Sequence, residues 1–545
     1  MPCKTEFLTT ENIEATVQDL QINPYTLVVA EESPEFKGEL IFQPLQGEQI
    51  FYEQYQDWLS RYLILNQPFV LVDFVEQLEK DGYTVLFMKS CQHILDGYER
   101  WRKPLEINGF HAPGGGNLYP YQTFSLNRAL ERIDAPDAPD RTYFVGWCPG
   151  AGKSVFACAG AQEAINRGQV DLVLAFTLMK LKTNLSNFFQ ANTSLQTVVN
   201  DGPAAKRKAR YENGSQVFVL NYDKAWADFE YLLPLVTGKR VLFILDEAQK
   251  VLTDGSPNRS RKHLDKLIQA SEPVIWPMSA TVVSHSPFKY RDVFSIGGFR
   301  RNPLGTKSDF ELRYVKQRRF FQIKTKRGGS FQQIFYDWDL PKLHEIRHRI
   351  ADRCHNVRKT DPGIKENFKG MQTVVIPVQM SKEDRELYDL VCEHARGAVE
   401  REESLAPYYR LLRYICNTPE SLQHTNEQLG QALSQSYPKL ASSDHCAKLE
   451  MLLDQVEAIR DSGDKVVVFC QWTHLGVLLL ERHLAARKIR YVLHYGVGQS
   501  DAESQRAQRE FKSDPDITVF LSSDAGSFGL SFQEARYVIN YDVPY

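Results

Sequence analysis

Residues 142–154 read TYFVGWCPGAGKS, and residues 154–168 continue as SVFACAGAQEAINRG. A short apolar run, a glycine turn and an alanine-rich helical stretch follow one another directly. That is the setting a phosphate-binding loop requires. Gly150 and Gly152, with Ala151 between them, allow backbone N–H groups to approach phosphate oxygens with no Cβ in the way. The helix N-terminus adds partial positive charge. Lys153 is placed to neutralise the β- and γ-phosphates and Ser154 to ligate Mg²⁺. The first glycine of the full Walker pattern is replaced by Trp147.

A second stretch supplies what the first lacks. RVLFILDEAQK, residues 240–250, is an apolar run ending in two acids. Hydrolysis needs one acid for the metal and one for water. Asp246 suits the first role, directly or through water, and Glu247 the second, orienting or deprotonating the nucleophile. The two motifs together predict binding of ATP or GTP with Mg²⁺. Gln122, in LYPYQ (118–122), has an amide that can read an adenine edge because it donates and accepts together.

Working outward, short apolar runs alternate with amphipathic stretches from Leu118 to about residue 300: TYFVGW, DLVLAFT, QVFVLNY, RVLFILDE and VIWPMSAT. Such alternation predicts an α/β fold, a parallel sheet wrapped by helices. A second series begins near residue 441 with KVVVFCQ, RYVLHY, ITVFLSS and YVINYD. The expected architecture is two doubly wound lobes, 111–300 and 441–545, joined by a mostly helical bridge, 301–440, that a strand-like TVVIPVQM (373–380) interrupts. A small α+β domain, 1–110, precedes them, in which the short β-type runs YTLVVAE, GELIFQPL, PFVLVDF and YTVLFMKS alternate with helical segments. The glycine loop HAPGGGN (111–117) marks its end.

The chain has 545 residues and a formal net charge of -3, so nucleic-acid contacts would have to come from local basic patches. Nine cysteines without a CxxC pair argue against a zinc ribbon and a secreted disulfide framework. The Cys354–His355 pair lacks a second pair at ligand spacing and reads as an ordinary packed pair. No apolar run approaches the roughly 20 residues that span a bilayer. The N-terminus shows no signal pattern. The expectation is a soluble chain with no membrane partner, cytoplasmic in a prokaryote or phage-infected cell and nuclear in a eukaryote.

Three basic runs stand out: KRKAR (206–210), VKQRRFFQIKTKR (315–327) and RHRIADRCHNVRK (347–359). Charge runs are most often solvated faces. The second interleaves aromatics with basic residues, which makes Arg318 and Arg319 candidates for nucleic-acid contact.

The order of motifs resembles the Swi/Snf-type ATPases of helicase superfamily 2. LYPYQ resembles the family's adenine-side motif and GAGKS its motif I. VLAFTLMKLKTNL (173–185) resembles motif Ia. DEAQ (246–249) is similar to motif II, with Gln249 where histidine is usual, and SAT (279–281) to motif III. LLRYICNTP (411–419), residues 448–484, 493–511 and 521–542 resemble the family's second half through motif V. The resemblance implies two RecA-like lobes that hydrolyse ATP between them and step along duplex DNA without reading its sequence. It puts Gln249 with Lys153 and Glu247 in the catalytic set, and it implies that Thr177 and Ser523 hold nucleic-acid phosphates. A capping hydroxyl is the alternative for each.

The family ends its second lobe with motif VI, which carries two arginines. Arg482, Arg487, Arg506 and Arg509 do not stand in that context, and YVINYDVPY closes the sequence at Tyr545. The expectation is a chain shortened before motif VI that binds ATP and hydrolyses it weakly, since an arginine finger contributes about 10³–10⁵ in rate, or roughly 4–7 kcal/mol. A strand-separating DNA or RNA helicase and a nucleotide-gated DNA-binding scaffold are the competing readings. The N-terminal domain is the place for a protein partner.

Overall fold

The computed structural model describes residues 23–32, 34, 40–55, 68–253, 255–281, 286–299, 301–324, 330–343, 345–361, 364, 370, 372–400, 404–441, 446–496, 498–523 and 532–542. They divide into two compact units, 1–370 and 371–545.

At the N-terminal end of the first unit, YTLVVAE and GELIFQPL form β1 (Leu27–Glu32) and β2 (Leu40–Pro44), paired antiparallel. YTVLFMKS supplies β3 (Thr84–Phe87), parallel to β1 on its other side. PFVLVDF, read above as a β-type run, instead opens a helix, Pro68–Lys80. Leu71, Phe74, Val75 and Leu78 are buried, a spacing that helical winding places on one face. Phe124, from the helix Pro120–Ile133, closes this core alongside Phe42, Phe74 and Tyr98.

Seven parallel strands form the central sheet. They are β4 (Phe144–Trp147), β5 (Leu172–Thr177), β6 (Thr197–Val199), β7 (Val217–Asn221), β8 (Arg240–Asp246) and β9 (Glu272–Met278), with one more described below. Every residue of β5 and β7 is buried, as expected where helices cover both faces. The helix Lys153–Asn166 lies so close to the sheet that a Cβ on Gly160 would sit 2.4 Å from Trp276.

Past β9 the helix Lys307–Tyr314 leads into an antiparallel hairpin of β10 (Val315–Lys324) and β11 (Ser330–Trp338). The hairpin carries the basic run VKQRRFFQIKTKR, in a stretch the sequence suggested to be mostly helical. Tyr336 and Trp338 anchor its base on Phe288, with ring centroids 5.0 and 5.1 Å apart. The chain then returns to the sheet as β12 (Cys354–Val357), again within the stretch read as bridge. The full order is β12-β4-β9-β8-β5-β7-β6. The two strands with no readable apolar run, β6 and β12, are its edges. His355 is buried against Phe124 and Trp147, in line with a packed pair.

In the second unit, TVVIPVQM forms no strand. Val374 and Val375 are 65% and 85% exposed, and Pro377 removes a ladder donor. Helices Lys382–Glu400, Ala406–Asn417 and Gln428–Ser436 share a small core of Leu387, Val391, Leu411, Ile415 and Leu433. Beside it, β13 (Val466–Phe469), β14 (Tyr491–His494), β15 (Val519–Ser522) and β16 (Tyr537–Asn540) form a parallel sheet in the order β14-β15-β13-β16.

A buried polar cluster ties the LLRYICNTP segment to this sheet. The Asn417 side-chain amide donates to Asp542 at 2.5 Å and its oxygen accepts from Lys448 at 2.7 Å. The Asn417 carbonyl accepts from the Tyr541 hydroxyl at 2.5 Å, and Cys470 and the Gln471 N–H both donate to Asp542. Among the described residues no helix is long and apolar enough to cross a membrane.

Candidate nucleotide site

Because β4, β9, β8 and β5 are adjacent and parallel, their carboxyl ends open on one edge of the sheet. That edge is where open α/β sheets bind ligands. The glycine turn follows β4, Thr177 ends β5, Asp246 ends β8, and Ser279 follows β9.

The turn is built as the sequence suggested. Gly150 and Gly152 take φ of 82° and 87°, the left-handed region that side chains disfavour. Beneath it, Gln122 donates its amide to the Ala151 carbonyl at 3.1 Å, and Tyr121 donates its hydroxyl to the same oxygen at 2.8 Å. The Gln122 oxygen accepts from the Tyr119 N–H at 3.0 Å and so caps its own helix. A Cβ on Gly152 would lie 2.3 Å from the Gln122 amide, so a side chain there would have to displace Gln122 as well as adopt a strained φ.

Lys153 opens the helix that follows, with Ser154 half-buried behind it. The Lys153 ammonium donates to the Trp147 carbonyl at 3.0 Å. Burial holds this ammonium below its ordinary range, and Glu247 and Asp246 act in the opposite direction. The Asp246 carboxyl is pushed up to about 6, chiefly by burial and then by Glu247, against the lowering effects of Thr177 and Lys153. Thr177 donates its hydroxyl to Asp246 at 2.9 Å, and Tyr222 donates to the Asp246 carbonyl at 2.7 Å.

Glu247 has φ 52° and ψ 48°, left-handed and not glycine. Such a residue costs roughly 1–2 kcal/mol. Its carboxylate accepts from Gln249 at 2.6 Å, and the Gln249 oxygen accepts from the Ser279 hydroxyl at 2.7 Å. Ser279 also accepts from the Thr281 N–H at 3.1 Å. A continuous chain therefore runs from the SAT segment to the second acid.

Thus Gln122, Gly150, Ala151, Gly152, Lys153, Ser154, Asp246, Glu247 and Gln249 gather at one sheet edge. Thr177 does not face outward for phosphates: it is fully buried and engaged with Asp246. Its position at the end of a strand beside β8 makes it part of the acid's surroundings. Ser523 is also buried, at the end of β15, where its N–H donates to the His494 carbonyl at 3.0 Å. The motif V loop after it, 524–531, and the tip of the basic hairpin, 325–329, lie outside the described residues. Arg318 and Arg319 lie apart from the nucleotide site, on the hairpin, paired with Glu311 and with Asp337. Sequence reasoning gave no role to Ser279, Tyr222 or the Trp147 carbonyl. The SAT tripeptide was a signal for the first; nothing in a single sequence announces which strand ends are neighbours.

A half-buried ammonium on a neutral carbonyl, a glycine cradle and a half-buried carboxyl that resists ionisation are matched by a ligand bringing both anionic phosphate and a cation. One hydroxyl and one carboxylate suit Mg²⁺, which takes its remaining ligands from waters and phosphates.

Residues 447–545 match the family model described as helicase conserved C-terminal domain. The chain is 30% identical over 131 residues to Helicase SWR1 of Kluyveromyces lactis, which covers 24% of this chain and 8% of the relative. It is 22% identical over 317 residues to the uncharacterized ATP-dependent helicase YqhH of Bacillus subtilis, covering 56% of this chain and 50% of the relative. The chain thus spans half or less of the length of these relatives. The solved Sulfolobus solfataricus SWI2/SNF2 ATPase core in complex with dsDNA aligns over 81% of this chain and 84% of its own, at 17% identity and a TM-score of 0.39. Residues 447–545 thus match a helicase C-terminal domain, and the sequence relatives of the chain include chromatin-remodelling and ATP-dependent helicases.

Proposed function

We propose that the chain is an ATP-driven nucleic-acid motor, in the simplest form a translocase on duplex DNA that does not read sequence. The observation that supports it is the meeting of Lys153, Asp246 and Glu247 at one sheet edge, with Thr177 and Gln249 fixing the two acids. Lys153 neutralises the β- and γ-phosphates, and the N-terminus of its helix adds partial positive charge there. Mg²⁺, when bound, is held by Ser154 and Asp246 and supplies charge neutralisation there. Glu247 takes the proton of the attacking water, and Gln249 orients its carboxylate. Gln122 is assigned to the adenine edge, which an amide can read because it donates and accepts together. The N-terminal sheet is assigned to a protein partner.

Steady-state hydrolysis measured with duplex DNA, single strands and RNA in parallel tests this reading. Lys153→Ala and Glu247→Gln should both abolish turnover, with Glu247→Gln still binding ATP. Turnover that survives either change would refute the assignment, and stimulation by RNA alone would replace DNA as the track.

A further inference from the structure

The hairpin β10–β11 takes no part in the nucleotide site, yet it concentrates charge and aromatic surface. Residues 315–338 hold six cations (Lys316, Arg318, Arg319, Lys324, Lys326 and Arg327) against one acid, Asp337, in a chain whose net charge is -3. In the other two basic runs, where Lys206, Lys208, Arg358 and Lys359 are exposed, three arginines are engaged within the fold. Arg207 grips the buried Asp228 at 2.6 Å, Arg210 donates to the Asp201 carbonyl at 2.6 Å, and Arg353 pairs with Asp140 at 3.0 Å.

On the hairpin the ion pairs are of another kind. Arg319 with Asp337 at 2.6 Å, Arg318 with Glu311, and Lys316 with Asp339 at 3.9 Å all hold their cations at 50–61% exposure. Exposed pairs are worth about 0–1 kcal/mol, so a phosphate can displace the carboxylate. Two rings stand beside these cations. Phe320 is 55% exposed and Phe335 49% exposed. Arg319 and Phe335 are direct cross-strand partners, and Phe320 lies two residues along from Arg318, so each face of the ladder offers an aromatic ring next to an arginine.

We propose that this hairpin is a binding surface for an unpaired nucleic-acid strand, with Lys316, Arg318 and Arg319 on the phosphates and Phe320 and Phe335 stacking on bases. Charge complementarity selects a polyanion. The exposed rings select an unpaired strand, because bases inside a duplex have their faces covered by neighbours while a free base offers its π-face to any ring. The proposal deepens the nucleic-acid reading above, and it adds an unpaired strand to a motor whose track was assigned as duplex.

The test is fluorescence anisotropy of the full chain, without nucleotide, against labelled oligothymidine and against a duplex of equal length. Phe320→Ala and Phe335→Ala should each weaken oligothymidine binding by about 5- to 150-fold, the equivalent of about 1–3 kcal/mol per stacked base. Duplex affinity and the melting temperature should hold. Phe320→Trp should retain binding, which separates stacking from folding. Arg319→Gln should lower the salt slope by roughly one. Unchanged oligothymidine affinity in both alanine variants overturns the proposal. Because no nucleotide is present, Lys153→Ala should bind oligothymidine as the parent does; a chain without turnover would remove the motor reading and leave this measurement standing.

Discussion

Thr177, the last residue of β5, donates its hydroxyl proton to Asp246, the last residue of β8, at 2.9 Å. The bond favours the ionised carboxylate in a place where burial and Glu247 oppose it. Thr177→Val, nearly isosteric, removes the bond and keeps the strand. A hydrogen bond to a charged group is worth about 1.5–3 kcal/mol. The pH midpoint for Mg²⁺–ATP binding, expected near 6 in the parent, should therefore rise by roughly one to two units. Titration calorimetry across pH 5–8 reads this directly, and an unmoved midpoint would remove Thr177 from the site.

Asp246 also predicts a stability effect in the absence of ligand. Unfolded, it ionises near its ordinary value of 3.8; folded, it holds its proton to about 6. Between those values the unfolded chain has lost a proton that the folded chain keeps, so stability falls as pH rises. The loss is complete above the folded value and absent below the unfolded one. Asp246→Asn should accordingly stabilise the ligand-free protein at pH 8 by up to about 3 kcal/mol and by only about 0.5 kcal/mol at pH 4. Denaturant midpoints at the two pH values measure the difference, and equal shifts at both would contradict it.

Ser279, Gln249 and Glu247 form one hydrogen-bonded chain, so their substitutions should not add. Gln249→Ala frees the Glu247 carboxylate to turn. Ser279→Ala loosens Gln249 and has the same consequence one step removed. Each should lower kcat with little change in KM, and the double variant should fall no further than Gln249→Ala alone. Additive losses would show that Ser279 acts by another route.

The buried cluster around Asn417 predicts where the second unit is most sensitive. Asn417→Ala strips Asp542 and Lys448 of a shared partner in a dry site. Removing one member of such a set costs about 2–4 kcal/mol. Hydrogen exchange should quicken in β13 and β16 and stay as before in β8, which lies in the first unit. Uniform acceleration across both units would mean that the cluster holds more than the second sheet.

Much of this arrangement could be read from residues alone. Fully buried strands such as LVLAFT and VFVLN announce themselves by unbroken apolar runs, and the two motifs at the sheet edge by their acids and glycines. The short edge strands CHNV and TVV could not be seen, because an edge strand needs little apolar surface. The helix at Pro68–Lys80 was missed because its opening residues, PFVLVDF, are apolar at nearly every position and so show no period; VEQLEK, directly after, carries it. The basic run 315–327 alternates weakly, so nothing distinguished a hairpin from a helix. Thr177 reads as a phosphate contact or a capping hydroxyl because a single sequence does not say that β5 neighbours β8. Asn417 gave no sign that its partner lies 125 residues away.

Glu247 sits in backbone space that L-residues visit at a cost, and glycine, asparagine and aspartate visit more cheaply. Heat resistance and turnover therefore make opposite demands on this one codon. A saturation library at position 247 sorted only for survival of heating should enrich glycine and asparagine, while the same library sorted for phosphate release should return glutamate. The distance between those two winners would measure how much thermal robustness the chain has given up to hold a carboxylate at the end of its strand.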